Sequence, residues 1–226
     1  MIDLPYLWSA STSFPSDRIE KMAEAGLLKV HDGHFLYPAD EQGMHLTRFF
    51  SVRPFARFPE FADWVADDIL TWAEGEAIEA DVLLAPDQEG VTTLARAVSD
   101  RLGIGLALWR TLPSGRFIDP TGGVTDFTEG RIEKGMRVIP FNGATLQGRC
   151  VGARLQDFTK AHGGEVAGLA VFAKGTTGIV EEVEQKWGAK FYATIQIDVP
   201  VYSPEQCPLE GKPGAPKLIP WTEIKL

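Results

Sequence analysis

The sequence predicts an α/β protein: a mainly parallel sheet flanked by helices, with a small irregular N-terminal lobe. Three observations carry this. Short apolar runs at Asp81–Ala85, Ile104–Trp109, Arg137–Phe141, Glu165–Ala173 and Phe191–Ile197 read as buried strands. Stretches between them carry apolar residues at helical spacing. Strand and helix alternate, and repeated βα units imply parallel strands covered on both faces.

Each element follows in order. Ser16–Glu24 reads as a short helix with Ser16 as N-cap before Asp17. Phe35–Tyr37 and Phe49–Val52 read as short strands around a polar turn. Phe58–Trp72 carries Phe58, Phe61, Trp64, Val65, Ile69 and Trp72 on one helical stripe. After the strand at 81–85 comes the loop PDQEG. Val91, Leu94, Ala95, Val98 and Leu102 then mark a helix, closed by Gly103 as its C-cap. Pro113–Gly135 is polar and rich in Gly and Pro, the length of a lid or hairpin. NGATLQG links the strand at 137–141 to a helix over Arg149–His162. Ile179–Trp187 is a further helix. The tail from Pro200 carries six prolines and is expected to wrap the surface. The division is an N-terminal lobe at 1–60, a core at 61–199 and a Pro-rich tail at 200–226.

Composition narrows the function. Of 226 residues, 44% are apolar and 23% charged, as in soluble globular proteins. Such a chain can bury a core without disulfides. Its 31 acidic and 22 basic residues give a net charge of -9, which argues against a duplex-DNA binder and leaves room for a local basic pocket. Cys150 and Cys207 are the only cysteines and lack metal-ligand spacing, so a reducing, cytoplasmic setting is expected. No apolar run approaches the ~20 residues of a membrane span. No secretory signal is expected from the N-terminal residues.

In open α/β sheets ligands bind beyond the carboxyl ends of the strands. The loops Ala85–Gly90 and Asn142–Gly148 each leave a strand and enter a helix. Each can aim backbone N–H groups at an anion.

Over Gly33 to Val199 the chain resembles the type I phosphoribosyltransferases, and among them orotate phosphoribosyltransferase. GHFLYPADEQGMHLTRFF resembles the family's opening segment, matching at Gly33, Phe35, Leu36, Gly43 and Phe50. FARFPEFADWVADDI resembles the helix that follows. DVLLAPDQEGVTTLARAVSDRLGIGLALWR resembles the strand, pyrophosphate loop and helix. GMRVIPFNGATLQGRCVGARLQDFTKAHGGEVAGLAVF resembles the unit that holds phosphoribosyl pyrophosphate (PRPP). SPEQCPLEGKP is similar to the tail of some members. The resemblance implies a transferase of the type I fold and a homodimer with a shared active site.

The departures fall on both phosphate-binding loops. The family ends its PRPP strand with two adjacent acids that hold the ribose hydroxyls. Here Asn142 and Gly143 stand there. The phosphate loop is Thr145, Leu146, Gln147, Gly148 and Arg149 in place of a run of Thr and Gly. In the "GPxxGG" pyrophosphate loop Ala85 replaces the first Gly, and Glu89 replaces the first Gly of the pair. Pro86 and Gly90 are kept, and Asp87 and Gln88 lie between. A carboxylate 4 Å from a pyrophosphate charge costs roughly 4 kcal/mol at an effective dielectric of 20. A bridging metal reverses that sign. The family's Lys after Arg110 is Thr111, and Arg116 is the only base before Arg131.

Each candidate has two readings. Phe35 stacks on a planar ligand, as the resemblance implies, or is core. Arg48 and Arg110 grip a carboxylate or phosphate, or pair elsewhere. His45 is a general acid or base, or structural. Asp87 and Glu89 transfer a proton or bind a divalent cation, or favour the helix N-terminus. Cys150 is a thiol activated at a helix start, or packing. Trp109 borders the pocket, or is core.

Three functions remain open. The first is an enzyme on this fold that has left PRPP–Mg²⁺ chemistry and takes a small anionic or planar substrate. Asp87, Glu89 and Asn142 are then catalytic. Arg48, Arg110 and Arg149 supply charge, Thr145 and Gln147 hydrogen bonds, and Gln88, Gly90 and Gly148 the loop contacts. The second is a working phosphoribosyltransferase for a pyrimidine-like or aromatic acceptor. The third is a non-catalytic sensor of a nucleotide-like ligand. No cofactor is fixed; Mg²⁺ is weakened by the lost acid pair and readmitted by Asp87 and Glu89. Nucleic acid and membrane are not expected partners.

Overall fold

A computed structural model of the chain describes residues 6–37, 43–112, 117–176, 180–220 and 223–224, with the backbone alone at 180–182 and 187. Arg116 and Ile179 lie outside these residues.

The elements run β1 (Leu7–Ser9), α1 (Ser16–Glu24), β2 (Val30–Leu36), β3 (His45–Phe50), α2 (Ala62–Gly75), β4 (Val82–Pro86), α3 (Val91–Leu102) and β5 (Gly105–Trp109). Then come β6 (Phe127–Glu129), β7 (Arg137–Thr145), a π-helical segment (Cys150–Leu155), α4 (Gln156–Ala161), β8 (Glu165–Val166), β9 (Leu169–Gly175), α5 (Val180–Trp187), β10 (Phe191–Ile197), β11 (Val201–Tyr202) and β12 (Ile219–Pro220).

The main sheet has the order β1-β10-β9-β7-β4-β5-β6, with β8 beside β7. From β10 to β5 every pairing is parallel, while β1 and β6 add antiparallel edges. The expected α/β class is the observed one. Side chains alternate across the sheet, as a period of two requires. Leu83 and Ala85 of β4 join a core shared with α2, α3 and the N-terminal lobe. Val82 and Leu84 join a second core with Val151, Leu155 and Phe158 on the opposite face. The strand order reverses between β4 and β7. Right-handed crossovers therefore send the helix after β4 to one face and the helix after β7 to the other. A crevice opens between their starts.

The N-terminal lobe is more regular than its sequence suggests. β2 and β3 form an antiparallel hairpin with an irregularity between Asp32 and Phe35. The expected strands Phe35–Tyr37 and Phe49–Val52 are thus shifted and lengthened. The chain leaves the ladder before Val52 because Pro54 opens a 3₁₀ turn at Arg53–Ala56. The tail adds β11 beside β3 and β12 beside β2. β12 ends on Pro220 at the sheet edge, where a missing N–H costs nothing. β1 joins the main sheet against β10.

Ser16 is not the N-cap of α1. Pro15 holds that position, extended at φ -71 and ψ 149, so Ser16 is the first helical residue. Gly103 does close α3, at φ 68. The helix expected over Arg149–His162 begins as a π-turn and becomes α-helical at Gln156. The Gly/Pro-rich stretch returns as β6 along β5.

One surface pair sets a pH dependence. Arg137 donates from its backbone N to Asp81 Oδ2 (2.8 Å) and from Nη2 to Oδ1 (2.9 Å). The guanidinium hydrogen bond holds the Asp81 carboxyl down at about 2. Unfolded, the same group titrates near ~3.9. The stabilisation is therefore complete above about pH 4 and is lost as pH falls through the folded value. The Tm difference between the native chain and Asp81→Asn is expected to hold from neutral pH to about pH 4 and to shrink below it.

Candidate active site

A cavity of about 510 Å³ opens where β4 and β7 end and the lobe closes over them. Its floor is built by two loops. After β4, Asp87, Gln88 and Glu89 lead into α3. Asp87 N–H donates to the Trp109 carbonyl (2.8 Å), and the Thr111 hydroxyl donates to the Asp87 carbonyl (2.9 Å), so β5 pins this loop. Thr92 Oγ1 donates to Asp87 Oδ1 (3.2 Å) across the first turn of α3. Glu89 is exposed. After β7, Asn142 lines the cavity with its side chain turned along the loop: its Oδ1 accepts the Gly143 N–H (2.8 Å).

The roof comes from the lobe: Tyr37, Leu46, Phe49, Phe50, Ser51, Val52 and Arg53. Phe117, Leu112 and Thr111 form one side, and Leu146 and Cys150 another. The result is a largely apolar, aromatic chamber with carboxylates and an amide on its floor. Such chambers hold planar ligands by stacking, worth about 0.5–1.5 kcal/mol per aromatic pair.

Val52 locks roof to floor. A Cβ added to Gly143 would stand 2.5 Å from Val52 Cγ2. Gly90, at φ 79, lies against the Val52 carbonyl so closely that a Cβ there would overlap it. One lobe residue thus occupies the gap between both loops.

The structure brings Asp87, Gln88, Glu89 and Asn142 onto the cavity wall and leaves other predicted residues off it. Phe35 is buried in the lobe core against Phe49, with ring centroids 5.8 Å apart. His45 is buried on the far face of β3, where desolvation holds its imidazole below the usual histidine range. Arg48 pairs with Asp198 (2.9 Å) and Asp32 (3.5 Å), and its guanidinium lies 4.0 Å from the Tyr6 ring centroid. Arg110 donates from Nε to the Thr125 carbonyl (3.0 Å) and from Nη2 to that of Phe127 (3.2 Å). Trp109 lies in the second core, stacked on Phe117 at 4.8 Å.

Gly148 adopts φ 71, and Thr145 Oγ1 and Gln147 Oε1 are buried without a hydrogen-bond partner among the described residues. Arg149 is exposed on the first turn. Cys150 is buried, and desolvation pushes its thiol up to about 11, so it is no activated nucleophile.

The acid pair that the family resemblance places at the end of β7 is absent here. The position of the second acid is Gly143, packed under Val52, and the Asn142 oxygen accepts the Gly143 N–H. Asp87 accepts one hydrogen bond from Thr92, and Glu89 lines the cavity beside it. Among the described residues the only cluster of three metal-binding groups lies elsewhere, at His34, His45 and Cys207.

Sequence reasoning passed over the roof. Phe49 and Phe50 read as strand core, and Tyr37 as a strand end. Nothing in their spacing marks which ring faces a cavity. Arg53 follows Val52, and only its place opposite Gly90 reveals it.

No family model matches the chain. It is 25% identical over 195 residues to orotate phosphoribosyltransferase of Carboxydothermus hydrogenoformans, covering 82% of this chain and 91% of that relative. UMP synthase of Leishmania donovani superposes with a TM-score of 0.59 at 16% identity, over 80% of this chain and 36% of that one. Orotate phosphoribosyltransferase of Mycobacterium tuberculosis, solved with inorganic phosphate, gives a TM-score of 0.52 at 18% identity, over 80% and 95%. No helix among the described residues is long and apolar enough to cross a membrane. The chain has the type I phosphoribosyltransferase fold, and in sequence it is similar to orotate phosphoribosyltransferase.

Proposed function

We propose that this protein is an enzyme on the phosphoribosyltransferase fold whose chemistry has left PRPP and Mg²⁺, and that it takes a small planar substrate between the aromatic roof and the acidic floor. The observation that carries the reading is Val52 seated against Gly143, in the space a second carboxylate side chain would need. A pyrophosphate brought to this floor would meet Asp87 and Glu89. Each such charge pair costs roughly 4 kcal/mol at 4 Å and a dielectric of 20. Arg48 and Arg110 lie off the cavity wall, and Arg53 is the one cation that lines it among the described residues. A flat ring system with at most one acidic group fits these charges better than a polyphosphate.

In this reading Tyr37, Phe49 and Phe50 sandwich the substrate, and Arg53 takes its acidic edge. Asp87 or Glu89 moves a proton, and the Asn142 amide nitrogen donates a hydrogen bond. The competing reading, a working phosphoribosyltransferase, draws on the sequence similarity to orotate phosphoribosyltransferase.

One experiment separates them. The purified protein is incubated with PRPP, Mg²⁺ and a panel of nucleobases and aromatic acids including orotate. Pyrophosphate release is measured, and PRPP binding is followed by calorimetry. The expected result is neither release nor binding, together with an aromatic metabolite retained in native mass spectrometry. Pyrophosphate release with any acceptor would overturn the proposal in favour of the competitor. Measurable affinity for the aromatic ligand with no turnover of any kind would favour a sensor.

A further inference from the structure

Behind the lobe, on the face of its sheet away from the cavity, four side chains converge. His34 lies on β2 and His45 on β3. His45 pairs with Leu36, so His34, two residues earlier, is its diagonal neighbour on the same face. The tail leaves β11, whose Tyr202 pairs with His45, and crosses that face before returning as β12. On the way it drops Cys207 and Glu210 onto the histidines from one tight turn, in which the Glu210 N–H donates to the Cys207 carbonyl (3.2 Å).

The geometry points to a structural zinc site formed by His34 Nε2, His45 Nδ1, Cys207 Sγ and Glu210 Oε2. His34 Nε2 lies 3.0 Å from His45 Nδ1, 3.3 Å from Cys207 Sγ and 3.7 Å from Glu210 Oε2. His45 Nδ1 lies 3.3 Å from the same carboxylate oxygen. Zinc bonds of ~2.0–2.3 Å in a tetrahedron place neighbouring ligand atoms roughly 3.3–3.6 Å apart. Four of the six pairs stand close to that spacing, and the ligand atoms of His34, His45 and Cys207 lie within 4.8 Å of one another.

The donor set suits a cation. His34 Nδ1 lies 3.3 Å from the Pro216 carbonyl, which can only accept. That nitrogen therefore carries the proton, and Nε2 presents a lone pair to the cluster. Loss of the thiol proton and the Nε2–H tautomer of His45 would free the other three donor atoms as well. His34, His45 and Cys207 are buried, and Glu210 closes the cluster at its half-exposed rim. A divalent ion satisfies all four at once. Its charge is cancelled by one thiolate and one carboxylate. Sulfur and imidazole ligands select zinc over Mg²⁺ or Ca²⁺.

The site would clamp the tail across β2 and β3 from behind. None of its four ligands lines the cavity, so the ion is structural. His45 faces the clamp, and Leu46, the next residue along β3, lines the cavity.

The test uses the untagged full chain, loaded with Zn²⁺ or Co²⁺ and then desalted. One metal ion per chain is expected. The cobalt form is expected to show a thiolate-to-cobalt charge-transfer band and the intense visible bands of tetrahedral coordination. Cys207→Ser should remove the charge-transfer band, and Cys150→Ser should keep it. Glu210→Gln changes a half-exposed side chain and should fold. Its zinc affinity, by chelator competition, is expected to fall by at least about tenfold, the loss seen even for groups one step beyond a metal's ligands. Wild-type protein that keeps neither ion after desalting would overturn the proposal. So would a charge-transfer band that survives Cys207→Ser, or unchanged zinc affinity in Glu210→Gln.

Discussion

Gly143→Ala is expected to destabilise the protein by about 1–3 kcal/mol, the usual cost of forcing a methyl group into a packed site. The φ of Gly143 lies outside the left-handed region, so its backbone accepts a side chain without strain. The obstacle is Val52, whose Cγ2 and Cγ1 would stand 2.5 and 3.1 Å from the new Cβ. Val52→Ala should therefore rescue the variant. In a double-mutant cycle the coupling is expected at roughly 0.5–3 kcal/mol, as for residues in direct contact. Urea unfolding of the four proteins measures it. Additive losses would mean that Val52 is not what excludes a side chain. Gly143→Asp extends the test to chemistry. It must bury a carboxylate as well as displace Val52, so it should be less stable than Gly143→Ala. Restoring an acid pair at 142 and 143 is then expected to require trimming Val52 first. The loop and the roof over it are then expected to respond as one unit.

The parts of this architecture that were legible in the sequence share a physical cause. Central parallel strands are buried on both faces, so DVLLA or GLAVFA reads as an unbroken apolar run. The loops at the ends of β4 and β7 follow from the topology once those strands are placed. β2 hides because VHDGHFL is buried at only two of its seven positions and contains an irregularity. β1, β11 and β12 have two or three residues each, and their partners are remote: Leu7 pairs with Ile197, and Ile219 with Phe35. No local pattern encodes such pairings. The same limit governs the site. Whether His45 or Leu46 faces the cavity depends on the register of one hairpin, and a shift of one residue would exchange them. Arg48 looks available until Asp198, 150 residues away, arrives beside it. Cys207 gains a context only when the tail folds back over β2 and β3.

The largest single-site effect is expected at Gly90. Its φ of 79 and ψ of -39 start α3 in a conformation that side chains rarely adopt. Holding a non-glycine residue there costs about 1–3 kcal/mol. A Cβ would also overlap the Val52 carbonyl oxygen and stand 2.6 Å from its carbon and 2.8 Å from Arg53 Cα. These are backbone atoms, which cannot rotate aside as Val52 Cγ2 can. Relief requires the 3₁₀ turn at Arg53–Ala56 to lift off the floor, and overpacking of this kind adds about 1–3 kcal/mol more. The sum, roughly 2–6 kcal/mol, is a large share of the ~5–15 kcal/mol that holds a domain together. Gly103→Ala is the internal control. It lies at the other end of α3 with a similar φ of 68, yet nothing stands within 4 Å of its Cβ. It should carry the backbone cost alone. Urea unfolding of both variants gives as their difference the close approach together with the less accessible ψ of Gly90, -39 against 30 at Gly103, expected to exceed about 1 kcal/mol. Limited proteolysis should cut the lobe of Gly90→Ala well before the sheet and leave Gly103→Ala resistant. Equal losses in the two variants would mean that the lobe does not rest on this loop, and the cavity between them would lose its roof.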